Sequence, residues 1–138
     1  MDNQNNAAHS TTNIYNPLIE AAKPVFILVN AMQQTTSQLS TDSLINKFSL
    51  LINNFEENAE KNGARYDAIQ AAKYCLCTFV DELAVRAGWA DETWSKNSLL
   101  VSFYDETWGG ERFFEIIQNL KQDPDKNIDL LEFMYLCL

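Results

Sequence analysis

Apolar residues recur along this chain at intervals of three and four positions, which is the period of an α-helix. The first helix is predicted over residues 17–34, because Asn16 is a good N-cap and Pro17 suits the first helical position. Its apolar residues lie on most sides, as in a central helix. Pro24 should kink it, since proline removes one helical hydrogen bond.

Two further helices carry clearer apolar stripes. Thr41 and Asp42 are predicted to cap the second helix, and Gly63 is predicted to close it. The third helix is predicted over about 65–87 and ends at Gly88. The stripe positions are Leu44, Ile45, Phe48, Leu51, Ile52, Phe55 and Ala59 in the second helix, and Ile69, Ala72, Leu76, Phe79, Val80, Leu83 and Ala87 in the third.

The pattern changes after residue 88, where tryptophan and short polar residues become frequent. A brief apolar helix is predicted near 99–103, and residues 108–111 are predicted to form a turn that opens a fifth helix. Residues 123–124 (Asp-Pro) stop that helix, and a last helix begins near Asn127. No segment shows a sustained period of two. The sequence therefore predicts an all-α fold of about six helices.

The two ends of the chain differ from the helical region. Residues 1–12 are predicted to form a flexible tail, and residues 13–138 one helical domain. The chain stops inside an apolar run at 130–138, without the glycine, proline or basic last turn that normally closes a helix. We therefore expect a truncated chain. No apolar segment reaches the length of about 20 residues that a membrane-spanning helix needs.

The composition excludes several classes of function. Hydrophobic residues make up 46% and charged residues 21%, which indicates a globular chain rather than a disordered one. The formal net charge is −9 and the pI is near 4.4. Nucleic acid is therefore not an expected partner, because phosphate binding depends on Lys and Arg. The same charge argues against adhesion to an anionic membrane surface.

Residues for catalysis and metal binding are scarce. The only histidine, His9, lies in the predicted tail, so neither a Ser-His-Asp triad nor a histidine-containing metal site is expected. No glycine-rich phosphate loop occurs. Cys75 and Cys77 point to opposite sides of the third helix, and with Cys137 they are interpreted as free, mostly buried thiols. The sequence thus predicts no catalytic residue, no cofactor and no metal.

The acidic residues come in adjacent pairs. The pairs at 91–92 and 105–106 lie next to helix boundaries, where acids favour the following N-terminus. Asp81 and Glu82 lie in mid-helix, and both face away from the stripe of the third helix. Glu82 has Arg86 four residues on, but no base is within reach of Asp81 on its own helix. Asp81 therefore either meets a partner elsewhere in the fold or marks an interaction surface, and the sequence leaves both open.

The tryptophans are interpreted first as core residues. Trp94 precedes the brief apolar helix, and Trp108 begins the turn that opens the fifth helix. Gly109 and Gly110 allow backbone conformations closed to other residues, or a close approach of two chain segments. Trp108 would fix this turn, which ends in Glu111, onto the domain.

Several segments together have the pattern of a known family. They are Asn16-Pro17-Leu18, Phe79-Val80-Asp81-Glu82, Trp94-Ser95-x-x-Ser98-Leu99-Leu100-Val101-x-Phe103, Glu106-Thr107-Trp108-Gly109-Gly110-Glu111-x-Phe113-Phe114, Asp123-Pro124-x-x-Asn127-x-Asp129-Leu130-Leu131-Glu132, and Tyr135-Leu136-Cys137-Leu138. In these segments the chain resembles the DotU/IcmH/TssL family. The resemblance covers about residues 14–138.

The resemblance implies a structural, non-enzymatic subunit of a bacterial type VI secretion system, with the related Dot/Icm type IVB system as the alternative. It implies a hook-like arrangement of two small helical bundles at the inner membrane, facing the cytoplasm. The implied partners are a large IcmF/TssM-like inner-membrane protein, baseplate components and, in a homodimer, a second copy. The pair Asp81 and Glu82 is the implied partner-binding site.

The sequence departs from the family at its end. The family continues with further helix and a C-terminal transmembrane anchor, which these 138 residues do not include. Two other classes stay as alternatives. One is a hydrolase that uses paired acids, which needs two carboxyl groups about 5–10 Å apart across a cleft. The other is a soluble adaptor protein that does not bind a membrane.

Overall fold

The structure is a computed structural model of the 138-residue chain, and it describes residues 15–34, 40–106 and 110–137. Every regular element in this part is a helix, which confirms the all-α prediction. The predicted tail with His9, and Trp108 and Gly109 of the predicted turn, lie outside the described residues. The helices are α1 (Pro17–Gln34), α2 (Thr41–Lys61), α3 (Tyr66–Ala87), α4 (Glu92–Asn97), α5 (Leu99–Tyr104), α6 (Gly110–Leu120) and α7 (Ile128–Leu136).

Helix α4 is an element that the sequence did not predict, whereas α5 corresponds to the brief helix expected near 99–103. Asp91 caps α4, because its Oδ1 accepts a hydrogen bond of 3.0 Å from the Trp94 N–H. Ser98 then ends α4 and caps α5, where its Oγ accepts from the Val101 N–H at 3.2 Å. Two caps thus divide one polar-to-apolar stretch into two short helices.

The central helix is α3 and not α1. Helix α3 contacts α1, α2, α5, α6 and α7 and buries side chains all around its axis, including Tyr74 and Asp81 on sides away from the stripe. Helix α1 is buried on one side only, and its Ile27 is 67% exposed. The prediction of a central first helix is therefore wrong. A count of apolar residues on one helix does not show how many of its faces the neighbours cover.

The N-terminus of α1 is capped as predicted. The Asn16 Oδ1 accepts hydrogen bonds from the backbone N–H groups of Leu18 (3.0 Å) and Ile19 (3.2 Å). The Asn16 Nδ2 donates to the Asp129 carbonyl at 2.9 Å and to the Glu132 carboxylate at 3.1 Å. The Asn16 side chain therefore caps α1 and also connects it to α7 by hydrogen bonds. Helix α1 continues through Pro24 to Gln34.

The N-cap of α2 is Ser40 and not the predicted Thr41. The Ser40 Oγ accepts from the Ser43 N–H at 3.1 Å. The Thr41 hydroxyl instead donates to the Asp91 carboxylate at 2.8 Å, which links α2 to the start of α4. A serine followed by a threonine offers two candidate caps, and this tertiary contact decides between them.

The remaining helix ends follow the predicted signals. Gly63 and Gly88 follow α2 and α3 with φ of 92° and 82°, the left-handed conformation that glycine adopts without strain. Helix α6 ends at Leu120, three residues before Asp123, and α7 follows Asn127. All seven helices of the described residues contribute to one buried apolar cluster. Trp94, 2% exposed, lies in that cluster as predicted.

Candidate functional site

Asp81, the acid that the sequence could not place, lies buried between α3 and the two short helices. Its Oδ1 accepts hydrogen bonds from the Trp94 indole N–H (3.1 Å) and the Leu99 backbone N–H (3.0 Å). Its Oδ2 accepts from the Leu100 N–H at 2.9 Å. Both oxygens are therefore engaged within the fold. This is the within-fold alternative, and the donors lie 13–19 residues further along the chain.

The Asp81 carboxylate also completes the N-terminus of α5. The first N–H groups of a helix have no partner inside the helix. In α5, Asp81 accepts from Leu99 and Leu100, the Ser98 Oγ accepts from Val101, and the Ser98 carbonyl accepts from Ser102. Asp81 of the central helix α3 therefore stabilises α5, which is too short to be stable alone.

Burial raises the pKa of Asp81 above its usual range, although hydrogen bonds from Leu100, Leu99, Trp94 and Ser98 act to lower it. Removal of the carboxylate from water is the larger effect. As the pH falls, the folded state therefore takes up this proton before the unfolded state does. At neutral pH the ionised carboxylate therefore stabilises the fold less than its protonated form would, and this deficit disappears on acidification towards the unfolded pKa.

The direction of this pH dependence can be measured by comparison with Asp81→Asn, whose side-chain amide does not titrate. The free energy of unfolding of the parent minus that of the variant should rise as the pH is lowered from 7 to about 4.5, because the raised pKa of Asp81 makes the folded parent bind the extra proton. Urea denaturation of both proteins at each pH gives this difference. If the difference falls on acidification, the pKa of Asp81 is lowered and not raised.

Glu82, the other member of the acidic pair, is exposed. Among the described residues none pairs with it, and the expected ion pair with Arg86 is not formed. Asp81 and Glu82 therefore do not face one another across a cleft, as a hydrolase would need. The sequence correctly placed both away from the apolar stripe but could not show that one is buried.

Glu82 borders a groove of about 280 Å³ between α3 and α6, which we call the α3/α6 groove. Phe114, on its α6 side, is 61% exposed. Among the described lining residues Glu82 alone carries a charge. The groove is therefore apolar and has one unpaired carboxylate at its border. Its lining consists of Thr78, Phe79, Glu82, Phe113, Phe114, Ile117 and Cys137.

A polar cluster joins α3 to the beginning of α6, close to the groove. The Tyr74 hydroxyl donates to the Glu106 Oε1 at 2.7 Å, and the Arg112 Nη1 donates to the Glu106 Oε2 at 2.6 Å. The Arg112 guanidinium lies 4.7 Å from the centroid of the Tyr74 ring. Burial, with the Glu106 carboxylate as a second cause, raises the pKa of Tyr74 to about 12. We call these residues the Tyr74–Glu106–Arg112 cluster.

Comparison with known proteins shows the family of the chain. The family model described as "DotU: Type VI secretion system protein DotU" matches residues 17–138. The chain belongs to the DotU family. The resemblance found in the sequence motifs is thereby confirmed, and the chain is a type VI secretion protein of this family.

Two solved structures support the DotU assignment. One is titled "Crystal Structure of TssL from Vibrio cholerae": it is 32% identical, the match covers 89% of this chain and 78% of that one, and the TM-score is 0.73. The other, "Cytoplasmic domain of TssL from Acinetobacter baumannii", is 26% identical over 89% of this chain and 79% of that one, with a TM-score of 0.79. None of the curated proteins compared matches this chain.

The three cysteines of this DotU chain are buried free thiols, as the sequence predicted. Burial raises the pKa of Cys137 to about 12, and it also raises the pKa values of Cys75 and Cys77. Thiolates are the reactive form of cysteine, so these side chains are held in an unreactive state. In the part of the chain that the structure describes, no group of His, Cys, Asp and Glu residues could hold a metal ion.

Native protein should therefore react very slowly with iodoacetamide at mildly alkaline pH. All three cysteines should be alkylated at once in denaturant, because unfolding returns their pKa to the ordinary range. Mass spectrometry of the alkylated protein counts the modified thiols in each state. Rapid native labelling of any one cysteine would show that it is not buried.

The groove and the cluster are the features that sequence analysis missed. Phe113 and Phe114 both fell within the apolar pattern of α6, yet only Phe113 is buried. Glu106 was assigned to a helix boundary, whereas it also binds Tyr74 and Arg112. One signal in the sequence could have indicated the groove. The apolar surface of α6 is wider than one neighbouring helix can bury, since it includes Phe113, Phe114, Ile116, Ile117 and Leu120.

Proposed function

We propose that this DotU-family chain is a docking subunit of a type VI secretion membrane complex. In this role it links an IcmF-like inner-membrane protein to the cytoplasmic baseplate. The α3/α6 groove carries the proposal, because it combines exposed apolar surface with an unpaired carboxylate on the central helix of the fold. The family match and the two TssL structures support the choice of secretion system.

In the proposed contact, a partner surface with a basic residue approaches Glu82 while an apolar side chain covers Phe114. Long-range attraction to a protein of net charge −9 would orient the basic partner and speed association. Burial of Phe114 would supply most of the affinity. Contact of the partner with Asp81 stays a prediction, and it would require α4 and α5 to move, since both oxygens of Asp81 are engaged.

The proposed position is the inner membrane, with the helical domain facing the cytoplasm. None of the helices that the structure describes is both long and apolar enough to cross a bilayer. Attachment through a C-terminal anchor, and formation of a homodimer, are expectations from the family. In this proposal the role of the chain is structural rather than catalytic, which is the expectation from the family.

The test is copurification from the native host. The full-length gene product, tagged at its N-terminus, is solubilised in detergent, and the proteins bound to it are identified by mass spectrometry. We expect a large IcmF-like membrane protein together with baseplate components. Recovery of Dot/Icm coupling proteins would assign the chain to the type IVB system instead. Recovery of no membrane companion would overturn the docking function.

A further inference from the structure

We infer that Tyr74, Glu106 and Arg112 are positioning residues that hold α6 in place as one wall of the α3/α6 groove. The inference rests on the proposed function, because it assigns a role to residues beside the proposed docking site. None of the three lines the groove. They act through α6, whose first turn contains Arg112.

The other contacts of α6 do not fix its position on every side. Among the described helices α6 contacts only α3 and α7. Of its side chains, Phe113 and Ile117 are buried, each 6% exposed, and Ile116 and Leu120 are partly buried. On the side of Phe114 the helix borders the open groove, so no close packing with α3 fixes its position there.

The cluster supplies the missing constraint next to that open side. The Glu106 carboxylate follows the end of α5 and binds both Tyr74 of α3 and Arg112 of α6. Tyr74 is itself fixed, because it is buried and its ring meets the Tyr104 ring edge-on at a centroid distance of 5.0 Å. The beginning of α6 is therefore held at a defined place relative to the central helix, one residue before Phe113.

The proposal also predicts a dependence on salt. The side chains of Glu106 and Arg112 are 31% and 57% exposed, so ions can screen their attraction. High salt should loosen α6 while the apolar core of the other helices keeps its structure. Docking should then weaken for two reasons, since the contact at Glu82 is also electrostatic.

The experiment uses Arg112→Met, Arg112→Lys and Tyr74→Phe in the full chain, with Arg65→Met as the matched control. Arg65 is also an exposed arginine with an acidic neighbour, Asp67, but it lies at the N-terminus of α3 and outside the Tyr74–Glu106–Arg112 cluster. Spin labels on Val85→Cys and Asn119→Cys, both exposed positions, report the distance between α3 and α6. Capture of the IcmF-like and baseplate proteins is measured in parallel, and thermal unfolding monitors the fold.

Arg112→Met should broaden the α3–α6 distance distribution and lower partner capture about fivefold, while the melting temperature changes little. Arg112→Lys keeps the ion pair with Glu106, so its α3–α6 distance distribution and its partner capture should be close to those of the parent. Tyr74→Phe, which removes only the hydroxyl contact, should give a smaller change of the same kind. The control should resemble the parent.

The inference is overturned if Arg112→Met leaves the distance distribution unchanged, if the distribution broadens and capture does not fall, or if Arg65→Met lowers capture equally. A parent that captures no partner contradicts the proposed function and with it the docking role of the cluster. The distance measurement then still decides whether the cluster positions α6. The two failures are thereby distinguished.

Discussion

Asp81→Ala is expected to lower the free energy of unfolding by about 3 kcal/mol or more. The substitution leaves three buried donors without an acceptor, namely the Trp94 indole N–H and the backbone N–H groups of Leu99 and Leu100. Each unsatisfied buried donor costs about 1–3 kcal/mol. The first turn of α5 also loses its attachment to the central helix.

Two further variants separate the possible causes. Asp81→Asn keeps the shape of the side chain but turns an amide donor towards one of the three donors, so about 1–3 kcal/mol should be lost at neutral pH. Glu82→Ala, on the adjacent exposed residue, should change stability by less than about 0.5 kcal/mol. Urea denaturation followed by circular dichroism and by tryptophan fluorescence measures all three.

The expected order of destabilisation is Asp81→Ala, then Asp81→Asn, then Glu82→Ala. Trp94 fluorescence should change most in the Asp81 variants, because its indole loses its acceptor. Equal stability of Asp81→Ala and the parent would show that Asp81 does not hold the fold. In that case the interpretation of Asp81 as a contact residue would return.

The sequence predicted the long helices because their signals are local. The stripe of α2, the N-cap Asn16 and the glycines after α2 and α3 each act within a few residues of the chain, and each is present in the structure. The choice of Ser40 over Thr41 and the central place of α3 could not be predicted. Both depend on contacts with segments far away in the sequence, such as the bond from Thr41 to Asp91.

The same distinction applies to the candidate site. The sequence recognised that Asp81 lacked a base on its own helix, and it left two interpretations open. The deciding donors are on α4 and α5, whose position over α3 no pattern in one helix reveals. The α3/α6 groove is likewise a property of two helices together, because only their spacing leaves Phe114 uncovered.

The resemblance and the structure together change which member of the acidic pair carries the docking hypothesis. The family pattern implied both Asp81 and Glu82, but both oxygens of Asp81 accept hydrogen bonds within the fold, so contact of a partner with Asp81 would require α4 and α5 to move. Glu82 has no such engagement among the described residues, and it borders the apolar groove. Substitutions at Asp81 therefore test the fold, and substitutions at Glu82 and Phe114 test docking.

Glu82→Lys and Phe114→Ser should each reduce capture of the proposed baseplate partner about tenfold or more, with the helical fold retained. Glu82→Lys places a like charge against the proposed basic partner, and Phe114→Ser removes an apolar side chain that is 61% exposed in the free chain. The matched controls are Glu115→Lys, an exposed acid on α6 outside the groove, and Ile27→Ser, an exposed apolar residue on α1.

Capture is measured with the full-length protein in its host, and thermal unfolding of each variant shows that the fold is intact. The charge and the apolar side chain should contribute differently. Glu82→Lys should slow association and lose part of its effect at high salt, whereas Phe114→Ser should speed dissociation at any salt concentration. If the controls reduce capture as much as the groove variants do, partner binding does not occur at the α3/α6 groove. The docking surface would then lie elsewhere on the domain.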